Sequence, residues 1–194
     1  FILTGHHSDD QIETFLIRLS RGSGIQGLSS MSKMTELNKN IKLVRPLLDF
    51  KKKDLVFVAK KIFGKFIKDP SNKNIKYLRT KMRHLKKELE KSGIYHDQII
   101  RSISNLASTR DTLNIYLEKV MKSCVIKKRS ETIINLKKLS SESNEIKLKT
   151  LGYAIRDFSN GYYPPRSKKI LNALTRLNTK KIVKLTLGGC FLEK

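Results

Sequence analysis

The sequence predicts an α/β fold built on parallel strands, followed by a smaller, mostly helical part. Three observations carry that reading. The apolar run Phe1-Ile2-Leu3 passes through Thr4-Gly5 straight into a helix-starting segment, Ser8-Asp9-Asp10-Gln11. A strand that feeds directly into a helix is the connection parallel sheets use. A second short apolar run, Ile41 to Val44, is stopped by Arg45-Pro46, and from Tyr77 onward nearly everything carries helical periodicity.

Taken in order, Phe1 to Leu3 reads as a buried strand ending in a turn. Ser8 to Gln11 fits a capping box, with the Ser8 hydroxyl and the Gln11 amide covering free N–H groups. Ile12, Phe15, Leu16 and Leu19 then form one apolar helix face, Arg18 and Arg21 point away from it, and Gly22-Ser23-Gly24 ends the helix. Lys51 to Phe63 is an amphipathic helix with a dense basic face. Asp69-Pro70-Ser71-Asn72 is a turn by its chemistry, since proline fixes φ and Asp and Asn cap locally. Tyr77 to Lys91 is a strongly basic helix. Tyr95 to Lys122 is a long one, with Ile99, Ile103, Leu106, Leu113, Leu117 and Val120 as its core positions. Asn144 to Ser159 and Lys168 to Leu177 add two helices around the turn Tyr162-Tyr163-Pro164-Pro165-Arg166, and Leu185 to Leu187 is strand-like up to Gly188-Gly189. No internal repeat is visible. The change from mixed to helical character falls in residues 84–94, and the boundary is placed after residue 88.

Bulk properties narrow the function. Hydrophobic residues make up 39% of 194, enough for a packed core, which excludes wholesale disorder. The formal charge is +24, from 41 Lys and Arg against 17 Asp and Glu. Such a field attracts a polyanion, nucleic acid being the commonest. An AT-rich genome also yields Lys-, Ile- and Asn-rich chains, so charge supports nucleic-acid binding without establishing it. Cys124 and Cys190 form neither a metal-ligand pair nor a disulfide framework, which suits a reducing cytoplasm. No apolar run is long enough to cross a bilayer, and no signal peptide is visible; no membrane association is expected. The opening inside an apolar run reads as a fragment that begins within a sheet.

The most informative stretch is Thr4-Gly5-His6-His7-Ser8-Asp9-Asp10-Gln11-Ile12-Glu13-Thr14. Two imidazoles sit at the carboxyl end of a strand, where open α/β sheets bind ligands. Three carboxylates follow in the first turns of a helix: Asp9 and Glu13 are four apart, Asp10 and Glu13 three apart, and either pair shares a helix face. The helix macrodipole accounts for one acid at that position but poorly for three acids and two histidines. Imidazole with carboxylate suits a divalent cation such as Mg²⁺ holding a nucleotide. The same groups suit phosphate and amine recognition. Residue chemistry alone leaves both open, and no metal ligand is singled out.

This stretch, continued through Arg18-Leu19-Ser20-Arg21-Gly22-Ser23-Gly24-Ile25-Gln26-Gly27-Leu28 and Met31, resembles the signature of tRNA(Ile)-lysidine synthetases. Arg45-Pro46-Leu47-Leu48, Asp69-Pro70-Ser71-Asn72 and Tyr77-Leu78-Arg79-Thr80-Lys81-Met82-Arg83 agree with it in order and spacing. Tyr163-Pro164-Pro165-Arg166 and Thr186-Leu187-Gly188-Gly189-Cys190 resemble pieces of the family's following helical domain. The resemblance implies the C-terminal portion of a Rossmann-like, PP-loop (HUP-type) parallel-sheet domain over 1–88 and a helical domain over 89–194. It implies a cytoplasmic ligase using ATP and Mg²⁺, with the CAU-anticodon isoleucine tRNA and free L-lysine as partners; a homodimer stays open. ATP adenylates the 2-carbonyl oxygen of the wobble cytosine, and lysine displaces AMP to give lysidine, which pairs with A instead of G.

Carried onto this chain, the resemblance implies catalytic roles for His7, Asp10 and Glu13, the two acids handling the lysine amine. Gly5, His6, Asp9 and Arg21 fall on the cofactor side. Either histidine can serve the phosphates or the activated base, Asp9 can cap the helix or reach magnesium through water, and Arg21 with Gly22-Ser23-Gly24 can present donors to a phosphate. A plain helix stop explains Gly22 equally well. Arg79, Lys81 and Arg83 are tRNA contacts by the same argument, although charge runs are usually solvated faces. The family's Ser-Gly-Gly-x-Asp-Ser ATP loop is not in this sequence and is expected upstream of Phe1, so the chain alone is expected not to be a competent ligase. The competing readings are a related PP-loop enzyme that thiolates tRNA, a metal phosphoesterase, and a non-enzymatic basic RNA-binding module. The first needs a cysteine near the site. The second needs ligands from further segments. The third gives no reason for an acidic helix start.

Overall fold

The computed structural model describes residues 1–38, 40–65, 76–179 and 182–194, which divide into two compact units, 1–111 and 112–194. The first unit begins with β1 (Ile2–Leu3), α1 (Ser8–Leu19), α2 (Ile25–Leu28), β2 (Met34–Asn38), β3 (Ile41–Val44) and α3 (Lys52–Phe63). It continues with α4 (Leu78–Lys91) and enters α5 (His96–Cys124), inside which the division falls. The second unit contains β4 (Val125–Lys127), β5 (Thr132–Ile134), α6 (Leu136–Ser140), α7 (Asn144–Phe158), α8 (Ser167–Leu177), β6 (Lys184–Leu187) and β7 (Cys190–Glu193).

The strand-to-helix grammar yields a parallel pair: β1 runs beside β3 with Ile2 opposite Leu43 and Leu3 opposite Val44. The sheet is nevertheless mixed. Its order is β1-β3-β2, and β2 is antiparallel to β3 with a register shift between Glu36 and Asn38. β2 is absent from the sequence reading because Met34-Thr35-Glu36-Leu37-Asn38 has too few apolar residues to mark it, and pairing with β3 organises it. The expected burial of Phe1 to Leu3 is not found: Phe1 is 88% and Leu3 70% exposed. Within the described sheet, β1 pairs along one edge only.

The α1 periodicity has its predicted consequence. Ile12 is fully buried and Leu16 nearly so, packed with Met82 of α4 and with Ile99 and Ile103 of α5. Burying a side chain such as Ile12 is worth about 1.5–3 kcal/mol. Leu19 lies past the contact and is half exposed. α1 is thereby seated against α4, and its N-terminus is fixed beside the ends of β1 and β3. α3 forms as expected but buries none of its residues. The Asp69–Asn72 turn lies outside the described residues.

In the second unit, two clusters organise the helices. Leu117, Val120, Cys124, Leu139 and Ile146 form one. Leu151, Ile155, Ile170, Leu174, Leu177 and Leu187 belong to the other, where α7, α8 and the β6–β7 hairpin meet. Of the six core positions read along α5, Ile99, Ile103, Leu117 and Val120 are buried, whereas Leu106 and Leu113 are half-buried. The hairpins β4–β5 and β6–β7 are antiparallel, and only Leu185 to Leu187 was legible as strand.

Candidate functional site at the start of α1

The chain leaves β1 with the Thr4 N–H donating to Val44 O at 3.0 Å and with His6 Nδ1 2.9 Å from Thr4 Oγ1. Gly5, in an open position, separates them. The helix cap is then one residue earlier than the sequence suggests. His7, in extended conformation, is the cap: its Nδ1 accepts from Asp10 N, and Asp10 Oδ2 accepts from His7 N at 3.0 Å. An imidazole nitrogen reaches the N–H that a serine oxygen usually takes, so a search restricted to Ser, Thr, Asp and Asn misplaces the cap. With Nδ1 accepting, the neutral His7 ring carries its proton on Nε2.

Ser8 and Gln11, expected as the capping pair, work elsewhere. The Ser8 hydroxyl lies 3.2 Å from His96 Nε2. The Gln11 amide donates to Met31 O and accepts from Met31 N, both at 2.8 Å. Asp9 is the hub of a half-buried charge network. Its Oδ1 accepts from Lys86 Nζ at 2.6 Å and its Oδ2 from Lys52 N at 2.8 Å, and Lys86 Nζ lies 3.1 Å from His96 Nδ1. Burial alone would raise the Asp9 carboxyl, but the Lys86 bond, the Lys52 N–H and the ammonium charge together hold it below its ordinary value. Burial, reinforced by Lys86, pushes His96 down despite Asp9. A neutral His96 whose Nδ1 accepts from Lys86 donates from Nε2 to Ser8, which fixes its tautomer.

Asp10 and Glu13, expected to act as one pair, face different partners. Asp10 caps the helix. Glu13, 3% exposed, is bridged by Arg83 Nε at 2.5 Å and has Arg79 Nε at 4.0 Å. Arg79 and Arg83 therefore share the α4 face toward α1, while Lys81 is exposed off it. Arg21, Tyr77, Arg79, Thr80 and Arg83 line a cleft of about 470 Å³ beside Ile17. Gly22 follows Arg21 with φ +66 in open surroundings. Three guanidinium groups around one cleft fit a phosphate.

Sequence reasoning missed His96 and Lys86, which lie 88 and 77 residues from the groups they touch on α1. It also missed how firmly residues 27–32 are held. Arg18 donates to Gly27 O and Ser30 O, Arg45 to Ser32 O, and Arg110 to Ser29 Oγ and Ser32 Oγ. At these positions Arg18, Arg45 and Arg110 are donors to loop carbonyls and hydroxyls.

Mg²⁺ is not accommodated by these acids as they stand. Both Asp9 oxygens, Asp10 Oδ2 and the Glu13 carboxylate already accept from protein donors. Among the described residues there is no group of three His, Cys, Asp or Glu able to hold a metal ion.

Residues 1–89 match the family described as the PP-loop domain. Over its whole length the chain is 35% identical to a tRNA(Ile)-lysidine synthase of Wolbachia pipientis wMel, of which it covers 45%. The protein of that name from Orientia tsutsugamushi (strain Boryong) is 32% identical over 99% of the chain, again 45% of the relative. That from Francisella philomiragia reaches 49% identity over 43% of the chain and 20% of its own length. The chain thus spans less than half the length of these relatives. A strand end running into α1 agrees with what these comparisons show: residues 1–89 are similar to the PP-loop domain, and the chain as a whole is similar to part of the tRNA(Ile)-lysidine synthases.

Proposed function

We propose that the protein carrying this chain is an ATP-dependent carbon–nitrogen ligase that converts the wobble cytidine of a CAU-anticodon isoleucine tRNA to lysidine. The observation that carries the reading is the end-to-end similarity to proteins of that name, joined to a His- and Asp-rich helix start at the carboxyl end of β1. In this reading residues 1–88 are the C-terminal part of the catalytic domain and 89–194 a helical domain, which the family match ending at residue 89 supports.

The reaction has two balanced steps. The 2-carbonyl oxygen of cytosine attacks the α-phosphorus of ATP and pyrophosphate leaves. The ε-amine of lysine then attacks C2, loses a proton, and AMP departs with that oxygen. The His7 Nε2–H suits an oxygen of the phosphate or the base, with Gly5 and His6 alongside. Arg21 and the cleft beside it suit phosphate charge. Asp10 supplies negative charge that an ammonium needs, Glu13, already neutralised by Arg83, ties α1 to α4, and Asp9 keeps the helix start in place through Lys86 and Lys52. Arg79 and Lys81, both exposed, suit the tRNA backbone, whereas Arg83 is tied to Glu13. No step is assigned to Mg²⁺, for which these residues show no ready ligand set. Thiolation is disfavoured because Cys124 and Cys190 are both buried in the second unit.

The test is incorporation of labelled lysine into a CAU-anticodon isoleucine tRNA transcript by the whole protein with ATP. Label stable on the tRNA is expected, and adenylated tRNA should accumulate when lysine is omitted. Asp10→Asn should raise the lysine KM about ten- to a hundredfold while adenylation survives. Absence of lysine transfer by a folded, RNA-binding protein would overturn the reading.

A further inference from the structure

We propose that the turn joining α7 to α8 is a stacking platform for unpaired RNA bases. Tyr162 and Tyr163 stand at its tip, 67% and 78% exposed. Their ring centroids lie 4.5 Å apart with the planes at 81°, so the pair offers two differently oriented faces.

The turn is built to hold them there. The Gly161 N–H donates to Arg156 O at 2.9 Å and the Ser159 hydroxyl to the same oxygen at 3.3 Å. Asn160 takes a positive φ of 52, which reverses the chain ahead of the tyrosines. Behind them, Pro164 and Pro165 are seated on two glycines. A Cβ at Gly152 would lie 3.4 Å from Pro164 Cβ, and one at Gly188 only 2.7 Å from Pro165 Cγ. Two rings this exposed gain little from the fold, yet the backbone beneath them is anchored on α7 and on the β6–β7 turn. Rigid presentation lowers the ordering cost of binding.

The surrounding charge selects the ligand. From Phe158 to Leu192 the sequence contains no Asp or Glu, whereas Arg166, Lys168, Lys169, Arg176 and Lys184 fall within it. Arg166, Lys168 and Lys169 follow the tyrosines directly and are exposed. Open aromatic faces beside cations match unstacked bases on a phosphate backbone, since every base has a π-face and every nucleotide an anion. A duplex, with its bases stacked inside, offers the cations a partner but not the rings.

The proposal takes its natural RNA from the tRNA reading, and the experiments separate the two. Lysine transfer by the unmodified protein tests that reading; the variants below test the platform. The whole protein is titrated with an isoleucine tRNA anticodon stem–loop carrying 2-aminopurine in its loop, and with a blunt RNA duplex of equal length. Tyr162→Ala with Tyr163→Ala should weaken stem–loop binding about tenfold, leaving duplex affinity and the salt slope unchanged. Tyr162→Phe with Tyr163→Phe should bind like the parent because the ring faces remain. Arg166→Ala, Lys168→Ala and Lys169→Ala should each lower the log–log salt slope by about 0.7–0.9 for both RNAs. Matching thermal unfolding of parent and alanine variant checks the fold. Unchanged stem–loop affinity in the double alanine variant overturns the platform, as does an equal loss for both RNAs. Selective loss of a protein partner with RNA affinity intact would overturn it too.

Discussion

Arg83 donates its Nε–H to the Glu13 carboxylate at 2.5 Å across α4 and α1, and the Glu13 side chain is only 4% exposed. The contact raises the Arg83 pKa above its ordinary value, through the hydrogen bond first and against the effect of burial. Two residues that the sequence assigns to different partners, lysine and tRNA, are joined in one ion pair. Any ligand approaching Glu13 meets a carboxylate that is already neutralised and oriented.

Breaking this pair from either end leaves a charge without its partner. Arg83→Met strands a buried carboxylate and should cost about 3 kcal/mol, while the double variant with Glu13→Gln should recover part of the loss. Urea unfolding of both single variants and the double variant measures the coupling. Additive losses would show that the two side chains contribute independently.

The same contact divides the three basic residues of α4. Arg79 and Lys81 are exposed, so their replacement by alanine should lower the salt slope of tRNA binding by about 0.7–0.9 each. Arg83→Ala should change stability more than slope. Filter binding from low to moderate salt, run beside urea unfolding, separates the effects; equal slopes for all three variants would remove the distinction.

The Asp9–Lys86–His96 network carries two pH windows. His96 is held below its ordinary 6.5, by burial first and then by Lys86, with Lys51 adding to it and Asp9 and Asp97 opposing. The unfolded chain binds that proton more readily, so the contribution is complete above pH 6.5 and declines as pH falls toward the folded value. Asp9 is held below its ordinary 3.8, so its contribution is present above that pH and is lost as pH falls through its lower folded value. Urea midpoints from pH 7.5 to 5 should drop in the parent and flatten in His96→Gln, and NMR titration of His96 should give a midpoint below 6.5. A midpoint at or above 6.5 would contradict the effect of burial and Lys86 on His96.

What the sequence revealed follows the reach of each interaction. The face of α1, the paired run Ile41–Val44 and the long helices rest on neighbours three, four or two positions apart, and periodicity exposes them. The clustering of His7, Asp9, Asp10 and Glu13 around the start of α1 was legible for the same reason. His96 and Lys86 were not, because their partners lie 88 and 77 residues away. The His7 cap was missed through chemistry, since imidazole seldom takes that position. The Gln11 clasp on Met31 and the arginines holding residues 27–32 depend on loop carbonyls, which no side-chain pattern announces. β2, β4, β5 and β7 are short strands whose pairing, rather than their composition, defines them.

The adjacent glycines of the β6–β7 turn should respond differently to alanine. Both have positive φ, +60 at Gly188 and +78 at Gly189, so each substitution carries a backbone cost of about 1 kcal/mol. Their surroundings diverge. A Cβ on Gly189 meets only Ser159 Cβ at 3.9 Å, an ordinary contact. On Gly188 it would come within 2.7 Å of Pro165 Cγ and 2.8 Å of Ile155 Cγ2, displacing a proline whose ring has little freedom and a core residue that is 4% exposed. Overpacking of that kind adds about 1–3 kcal/mol. Gly188→Ala should therefore lower the urea midpoint well below that of Gly189→Ala. Because the push is delivered to Pro165, it should also weaken binding of the anticodon stem–loop, which Gly189→Ala should leave unchanged. Equal midpoints for the two variants would mean that the turn moves freely over Pro165 and does not buttress the tyrosines.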